Sequence, residues 1–321
     1  FEGSLVDIDT GLELESRYFA ACAMSQVSKN MIGTLWHQLN SIKKGQSRPK
    51  SIPQQQTKKV GVLGAGMMGA GIAYVSAKAG IDVVLLDTSL ENAEKGKAYS
   101  ANLLDKAIAK GRSNDSKKQA LLDKIKTTTD YADLVGCDLV IEAVFEDRDI
   151  KAKCTQQTEA VIASEAVFAS NTSTLPITGL AQASQRPKQF IGLHFFSPVD
   201  KMPLVEIIMG EQTDDDTLAK AFDYVLQIGK TPIVVNDSRG FYTSRVFATY
   251  ITEGSAMLSE GVHPRLIEVA GIKSGMPVGP LALQDEVSLG LMLHITEQTK
   301  KDLQKEGKEP LYVNVGEAAV L

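Results

Sequence analysis

Two ionisable side chains, twelve positions apart in apolar sequence, could together move a proton. His194 ends the apolar run that begins at Phe190, and Glu206 lies within Pro203–Ile208. A carboxylate is costly to bury unless it is paired. The prolines of the intervening segment favour a turn that places two strands side by side. We therefore predict a dyad in which the carboxylate fixes the imidazole tautomer and stabilises the imidazolium. The alternative is a core histidine with no chemical role.

A hydroxyl-rich segment, Ser170-Asn171-Thr172-Ser173-Thr174, directly follows the apolar run Val167–Ala169. It has two interpretations. Thr172 or Ser173 is only a helix cap, worth about 1 kcal/mol, or the hydroxyls face the reactive end of a cofactor and a substrate oxygen.

A glycine pattern, Gly64-Ala65-Gly66-Met67-Met68-Gly69, lies between an apolar run and a helical pattern. Gly64 permits a tight turn, Gly66 lets the backbone approach a pyrophosphate, and Gly69 lets the helix pack closely on the strand. A second apolar run ends in Asp87, eighteen residues after Gly69, where a carboxylate can bind a ribose 2′-hydroxyl. That carboxylate would repel a 2′-phosphate, so the pattern predicts NAD rather than NADP.

The elements that must position these residues are short apolar runs alternating with amphipathic stretches. The runs lack strict alternation, which is typical of strands covered on both faces of a parallel sheet. They are Val60–Leu63, Val83–Leu86, Leu139–Ile141, Val167–Ala169, Phe190–Leu193 and Ile233–Val235. This order predicts an α/β fold with a Rossmann-type doubly wound sheet. After Gly240, helical patterns at 241–260 and 264–273 and an apolar stretch at 281–293 predict a mostly helical C-terminal domain.

Length and composition narrow the possible classes. A chain of 321 residues favours two domains, and a net charge of −5 provides no global field for nucleic acid. No apolar run is long enough to span a bilayer. Cys22, Cys137 and Cys154 form no metal-binding pattern, so no metal is predicted and the three are expected to be buried thiols.

Three regions are expected along the chain. Residues 1–57 combine a helical pattern at 11–43 with a basic, proline-containing stretch, interpreted as a solvated linker from an upstream domain. Residues 58–237 form the NAD-binding domain, and residues 238–321 the helical domain. The chain begins without Met and stops in apolar sequence at Leu321, which suggests a segment of a longer protein with an incomplete second domain.

Taken together, these motifs resemble the L-3-hydroxyacyl-CoA dehydrogenases, most closely the dehydrogenase part of the alpha subunit of bacterial fatty acid oxidation complexes. The resemblance runs from Lys58 to the end and includes the preceding linker helix. The motifs that carry it are the glycine loop through Ala73, Ile141–Glu146, Ser170–Thr174, His194–Pro198 and Leu204–Glu206.

The resemblance implies a role for each matching residue. His194 would take the proton from the 3-hydroxyl, Glu206 would assist it, and Ser173 would bind the substrate oxygen near the nicotinamide. Besides Gly64, Gly66 and Gly69, the implied cofactor contacts are Met67, Met68, Asp87, Val144, Phe145, Glu146, Lys151, Ser173 and Ser197. Without the family, a solvated helix residue would be the favoured interpretation of Lys151.

Two positions depart from the family pattern. Ser197 stands where the family usually has Asn in His-Phe-Phe-Asn-Pro, and Ser244 stands where it often has Asn before Arg in the second domain. A serine hydroxyl is shorter than an asparagine amide, yet it can still bond a ribose or substrate oxygen, directly or through a water. Ser197 is therefore kept as a cofactor contact and Ser244 as a substrate contact.

The implied activity is NAD-dependent oxidation of (S)-3-hydroxyacyl-CoA to 3-ketoacyl-CoA in fatty acid β-oxidation. Two alternatives stay open: a dehydrogenase of a free small hydroxy acid, and a non-catalytic relative that keeps the fold. In the full-length complex the resemblance implies a thiolase subunit as partner and a homo-oligomer. The expected compartment is the cytoplasm of a bacterium or the matrix of a β-oxidation organelle in a eukaryote. Residues 1–57 resemble the tail of a hydratase domain without being one, so no enoyl-CoA hydration is expected.

Overall fold

The computed structural model describes residues 1–287 and, beyond them, residues 290, 297, 300, 303, 304 and 307. The chain divides into two compact units between Arg239 and Gly240. The first unit contains a large sheet with flanking helices and the second is helical. The predicted fold class is therefore confirmed.

The first unit is built on one sheet of eight strands. They are β1 Lys59–Leu63, β2 Asp82–Leu86, β3 Ile125–Thr128, β4 Leu139–Glu142, β5 Val167–Ser170, β6 Phe190–Phe195, β7 Leu204–Met209 and β8 Thr231–Asn236. Their order is β3-β2-β1-β4-β5-β6-β7-β8. Strands β1 to β6 run parallel, β7 runs antiparallel to β6, and β8 runs parallel to β7.

All six predicted strands are present, and the turn before Glu206 does place β7 beside β6. Strand β3 was not predicted. It lies at the edge of the sheet and carries the polar residues Lys126, Thr127 and Thr128, so it lacks the continuous apolar run of a strand buried on both faces.

Six helices follow strands or loops of this sheet: α4 Met67–Lys78, α5 Leu90–Ala109, α6 Asp115–Leu122, α7 Arg148–Glu159, α8 Ile177–Ala181 and α9 Asp215–Gln227. Four of them begin at a side-chain cap, provided by Ser89, Asn114, Asp147 and Asp214. Such caps satisfy backbone N–H groups that a first helical turn leaves without a partner.

The N-terminal residues form the predicted helical segment. It consists of α1 Ile8–Met24, α2 Gln26–Met31, a π-helical stretch Ile32–Gln38, and α3 Leu39–Lys43. No residue of α1 or α2 is buried, and Tyr18, Phe19 and Trp36 are among its large exposed apolar side chains.

The stretch after α3 was expected to be a solvated linker, and Arg48 departs from that expectation. This side chain is buried, and its guanidinium bonds both carboxylate oxygens of Asp223 in α9, at 2.7 and 2.8 Å. It also donates to the carbonyls of Pro49, Ile52 and Pro53. For Arg48 the expected solvated state is therefore wrong, because a partner 175 positions away draws it into the unit.

The second unit contains α10 Tyr242–Ser259, α11 Pro264–Lys273 and α12 Pro280–Val287. The two helices predicted at 241–260 and 264–273 are confirmed. The Glu268 carboxylate of α11 accepts from the N–H groups of Leu281 and Ala282, which caps α12. The rest of the apolar stretch predicted to 293 lies largely outside the described residues.

Within the described part of the chain, no helix is long and apolar enough to cross a bilayer. That same part holds no cluster of three side chains suited to a metal ion. Cys137 and Cys154 are buried free thiols as expected, whereas Cys22 is exposed, because helix α1 buries none of its residues.

Candidate active site

His194 and Glu206 face each other across the antiparallel pair β6 and β7. They are register partners, and Nδ1 of His194 lies 2.7 Å from Oε2 of Glu206. Glu206 is fully buried and His194 is 7% exposed. In this setting a carboxylate and an imidazole interact with little competition from water. The predicted pairing is present, and the phenyl ring of Phe196 lies 4.5 Å from the imidazole ring.

The parallel strands β1, β4, β5 and β6 end at one edge of the sheet, and this edge collects the predicted residues. Gly64 follows β1, Glu142 ends β4, Ser170 ends β5, and His194 lies one residue before the end of β6. Open α/β sheets bind ligands outside the carboxyl ends of their strands, where the strand order reverses. Here the order reverses between β1 and β4.

The glycine loop has the geometry expected of each glycine. Gly64 has φ +89°, and a Cβ there would lie 2.7 Å from the carbonyl oxygen of Ala143. A Cβ on Gly69 would lie 1.8 Å from the carbonyl oxygen of Gly64, so only glycine allows α4 to pack against this turn. A Cβ on Gly66 would meet no atom within 4 Å. The space above Gly66 is therefore open at the N-terminus of α4, where backbone N–H groups favour an anion.

Asp87 lies directly after β2 and beside this loop. Its carboxylate accepts from the backbone N–H of Ala65 at 2.7 Å and from the N–H of Thr88 at 2.7 Å. Burial alone would raise the pKa of Asp87, but the donors of Ala65, Asn92 and Thr88 outweigh it and hold the pKa below its usual value. The side chain is thus ionised and suited to accept a hydrogen bond from a ribose hydroxyl.

The segment that carries Ser173 is held by Glu146. One oxygen of Glu146 accepts from the hydroxyl of Thr172, the N–H of Ser173, and both the N–H and hydroxyl of Thr174. Thr172 also accepts from the N–H of Leu175 at 3.0 Å, so it caps the local turn as one interpretation expected. The turn and the carboxylate together fix the backbone on which Ser173 lies.

Lys151 is 3% exposed, which rules out a solvated helix residue. Its ammonium lies 2.8 Å from Oε1 of Glu142 and 3.1 Å from Oε2 of Glu146. Burial lowers the pKa of Lys151, but the two carboxylates more than compensate and raise it above its usual value. For Glu146, burial alone would raise the pKa. The nearby Lys151 ammonium and the hydroxyl of Thr172 outweigh burial, so the pKa of Glu146 lies below its usual value.

The other predicted contacts occupy the same edge or the second unit. Ser197 donates its hydroxyl to the sulfur of Met67 at 3.5 Å, which places the loop after β6 beside the start of α4. Met67 and Phe145 are largely exposed, while Met68 and Val144 are half-buried. Ser244 lies in the first turn of α10, in the second unit.

Comparison with known proteins gives the family. Residues 59–238 match the NAD binding domain of 3-hydroxyacyl-CoA dehydrogenase, and residues 240–320 match the C-terminal domain of the same enzyme. The chain belongs to the 3-hydroxyacyl-CoA dehydrogenase family. These dehydrogenases are NAD-dependent oxidoreductases, so the cofactor is NAD, and the open N-terminus of α4 with the ionised Asp87 fits a dinucleotide.

Several dehydrogenases and their multifunctional relatives are similar to this chain. The fatty acid oxidation complex subunit alpha of Shewanella amazonensis is 37% identical over 310 residues, which are 96% of this chain and 44% of that protein. The (S)-3-hydroxybutyryl-CoA dehydrogenase from Ralstonia eutropha is 40% identical, with a TM-score of 0.73, over 75% of this chain and 86% of that one. The 3-hydroxybutyryl-CoA dehydrogenase from Escherichia coli K12 is 30% identical, with a TM-score of 0.76, over 81% of this chain and 55% of that one.

Two residues at the sheet edge where β1, β4, β5 and β6 end were not among the predicted site residues. Glu142 is 1% exposed and bonds Lys151, and Asn171 accepts from the N–H of Phe195 at 2.9 Å, which ties the loop after β5 to the end of β6. A signal for Glu142 was available: it is a carboxylate at the end of an apolar run, the same argument that identified Glu206. Asn171 gave no comparable signal.

Proposed function

We propose that this chain oxidises the 3-hydroxyl of (S)-3-hydroxyacyl-CoA thioesters to a ketone, in fatty acid β-oxidation. The single observation that carries the proposal is the buried His194–Glu206 pair, 2.7 Å apart, at the edge where the NAD-binding glycine loop also lies. The substrate class is supported by the similar Ralstonia and Escherichia proteins, which are named for 3-hydroxybutyryl-CoA.

The pair assigns a role to each nitrogen of His194. An ionised carboxylate only accepts hydrogen bonds, so Nδ1–H donates to Glu206 and Nε2 keeps a lone pair. We assign Nε2 as the atom that takes the hydroxyl proton of the substrate. Glu206 then stabilises the positive charge that forms on the ring, which lowers the barrier to proton transfer.

NAD, when bound, supplies the acceptor for the hydride that leaves the same carbon. The residues proposed to hold it are Gly64, Gly66, Met67, Met68, Gly69, Asp87, Val144, Phe145, Glu146, Lys151, Ser173 and Ser197. Ser173 is proposed to donate its hydroxyl to the substrate oxygen, and Ser244 is proposed as a substrate contact. Domain limits of 58–237 and 238–321 are proposed on the closely similar family matches.

A comparison of substrates tests the proposal. NADH absorbance is followed with (S)-3-hydroxybutyryl-CoA, with free 3-hydroxybutyrate, and with NADP in place of NAD. We expect turnover of the thioester with NAD, and loss of that turnover in His194→Ala. Equal turnover of the free acid would favour the small hydroxy acid alternative, and no turnover of either would favour a non-catalytic relative.

The chain spans 44% of the length of the alpha subunit it matches in Shewanella amazonensis. We propose that it works as the dehydrogenase part of such a subunit, in the cytoplasm of a bacterium. A thiolase subunit and a second copy of the alpha subunit are its proposed partners. Co-purification of the full-length subunit with a thiolase tests this assignment.

A further inference from the structure

Glu142 is a buried carboxylate that lies outside the predicted set of catalytic and binding residues. It ends β4, opposite Ser170 at the end of β5. Oε2 accepts from the hydroxyl of Ser170 at 2.8 Å, and Oε1 accepts from the ammonium of Lys151 at 2.8 Å and the N–H of Val144 at 2.9 Å. Both oxygens are therefore engaged, and the carboxylate is fixed relative to two strand ends.

Lys151 links Glu142 to a second carboxylate. Its ammonium lies within 3.1 Å of Glu146, and the lysine is almost fully buried. Loss of either carboxylate would leave a buried ammonium with a single counter-charge, in a medium where an unpaired charge is expensive. The position and the charge of Lys151 therefore depend on Glu142.

Glu146 connects this pair to the reacting end of the site. Its Oε2 faces Lys151, while Oε1 accepts the donors of Thr172, Ser173 and Thr174. The orientation of the carboxylate that holds the Ser173 backbone is thus set on one side by Lys151. A chain of direct contacts runs from Glu142 through Lys151 and Glu146 to Ser173.

We infer that Glu142 is a positioning residue for the dehydrogenation: through Lys151 and Glu146 it sets the place of the Ser173 hydroxyl against the substrate oxygen. The inference rests on the proposed function. In the bonds described above, the Glu142 side chain does not contact the His194–Glu206 pair, so its effect on the reaction passes through Lys151 and through Ser170, whose hydroxyl donates to it. A displacement of a substrate-binding hydroxyl by an ångström can lower a rate about 100-fold.

The test is Glu142→Gln, which keeps the shape of the side chain and removes its charge. We expect kcat for the thioester to fall about tenfold or more because Ser173 is misplaced. The dissociation constant of NAD should rise as well, because Glu146, Lys151 and Ser173 are among the residues proposed to hold NAD, so kcat is compared at saturating NAD.

A pH profile separates positioning from a merely structural role. The groups near Lys151 are Glu142 on β4, Glu146 on the following loop, Cys154 on α7, and Tyr131, which hydrogen-bonds Cys154. With Glu142 neutral, Lys151 keeps only one of the two carboxylates that raise its pKa, so it loses its proton at a lower pH than in the wild type. The decline of kcat at alkaline pH should therefore begin at least about one pH unit lower in Glu142→Gln than in the wild type.

Two further variants complete the design. Glu142→Asp keeps the charge and shortens the side chain, so kcat should fall while the alkaline limb stays at its wild-type position; it also serves if Glu142→Gln does not fold. Glu159→Gln makes the same chemical change at a carboxylate that bonds Ser184 and Gln185, and should leave kcat and the profile unchanged.

The outcomes are distinct. Folded Glu142→Gln or Glu142→Asp with wild-type kcat and an unshifted profile would overturn the inference and leave the proposed function standing. A wild-type chain that does not turn over the thioester would overturn the proposed function, and this inference with it.

Discussion

His194 relies on a partner that is buried more deeply than itself. Glu206 is fully removed from water, and the bond of 2.7 Å between the two side chains spans adjacent strands. A carboxylate would not remain in such a place for stability alone, since apolar residues of similar volume often serve as well. A catalytic role therefore explains the pair: the carboxylate orients the imidazole ring and stabilises the positive charge that develops on it.

Glu206→Gln tests this pair. The amide cannot stabilise a protonated ring, and its N–H₂ group can select the wrong tautomer of His194, so kcat should fall about 100-fold or more. The KM of the thioester should change little, because the loss is confined to the transition state. Steady-state kinetics on NADH formation measure both values. Glu211→Gln, the same change at an exposed position just after β7, is the matched control.

At the scale of elements, the turn between β1 and α4 sets how the helix points at a ligand. Gly64 provides the left-handed turn, and Gly69 brings the first helical turn against the carbonyl of Gly64. Gly66 differs from both, because its φ of −65° and the open space around it would accept a side chain. The structure thus separates glycines that the fold requires from one that a ligand would require.

Gly66→Ala and Gly69→Ala should therefore fail in different ways. Gly66→Ala is expected to keep the melting temperature of the wild type. It should bind NAD about tenfold more weakly, because its methyl group occupies the space for the pyrophosphate. Gly69→Ala is expected to lose about 2 kcal/mol or more of stability, since its Cβ would clash with a backbone oxygen. Thermal unfolding and NAD titration measure the two effects. Equal loss of stability in both variants would contradict this distinction.

At the scale of the whole molecule, a buried ion pair within the first unit holds the segment after α3 against the sheet's flanking helix α9. Arg48 uses its guanidinium on Asp223 and on three carbonyls of its own segment, and Asp223 also accepts from the N–H of Gln55. The segment after α3 is therefore fixed on α9. Since α3 ends at Lys43, shortly before this segment, the pair helps to fix where the N-terminal helical segment ends on the first unit.

Asp223→Ala should destabilise the first unit by about 3–5 kcal/mol, because it leaves a buried guanidinium without its counter-charge. The double variant Arg48→Met/Asp223→Leu should recover most of that loss, since it removes both charges together. Denaturant unfolding measures the free energies. Asp216→Ala, an exposed acid in the first turn of the same helix, should cost less than about 1 kcal/mol. A loss in Asp223→Ala no larger than in this control would show that the pair does not anchor the segment.

Local sequence patterns were enough to predict those parts of the fold and the site that depend on neighbouring residues. Apolar runs of strand length, glycines at fixed spacing and an acid after the second strand predicted the sheet and the NAD-binding edge, because these signals act within a few residues. The pairing of His194 with Glu206 could also be predicted, since only twelve residues and a turn separate them.

The burial of charged side chains, and the groups that neutralise them, became visible in the folded chain. From residue type and local sequence, the side chains of Arg48 and Lys151 would be expected in solvent. Both are buried against carboxylates. Their state depends on atoms that other elements bring close, such as Asp223 for Arg48. The free energy of a buried charge is set by its surroundings in space, and no local pattern records those surroundings.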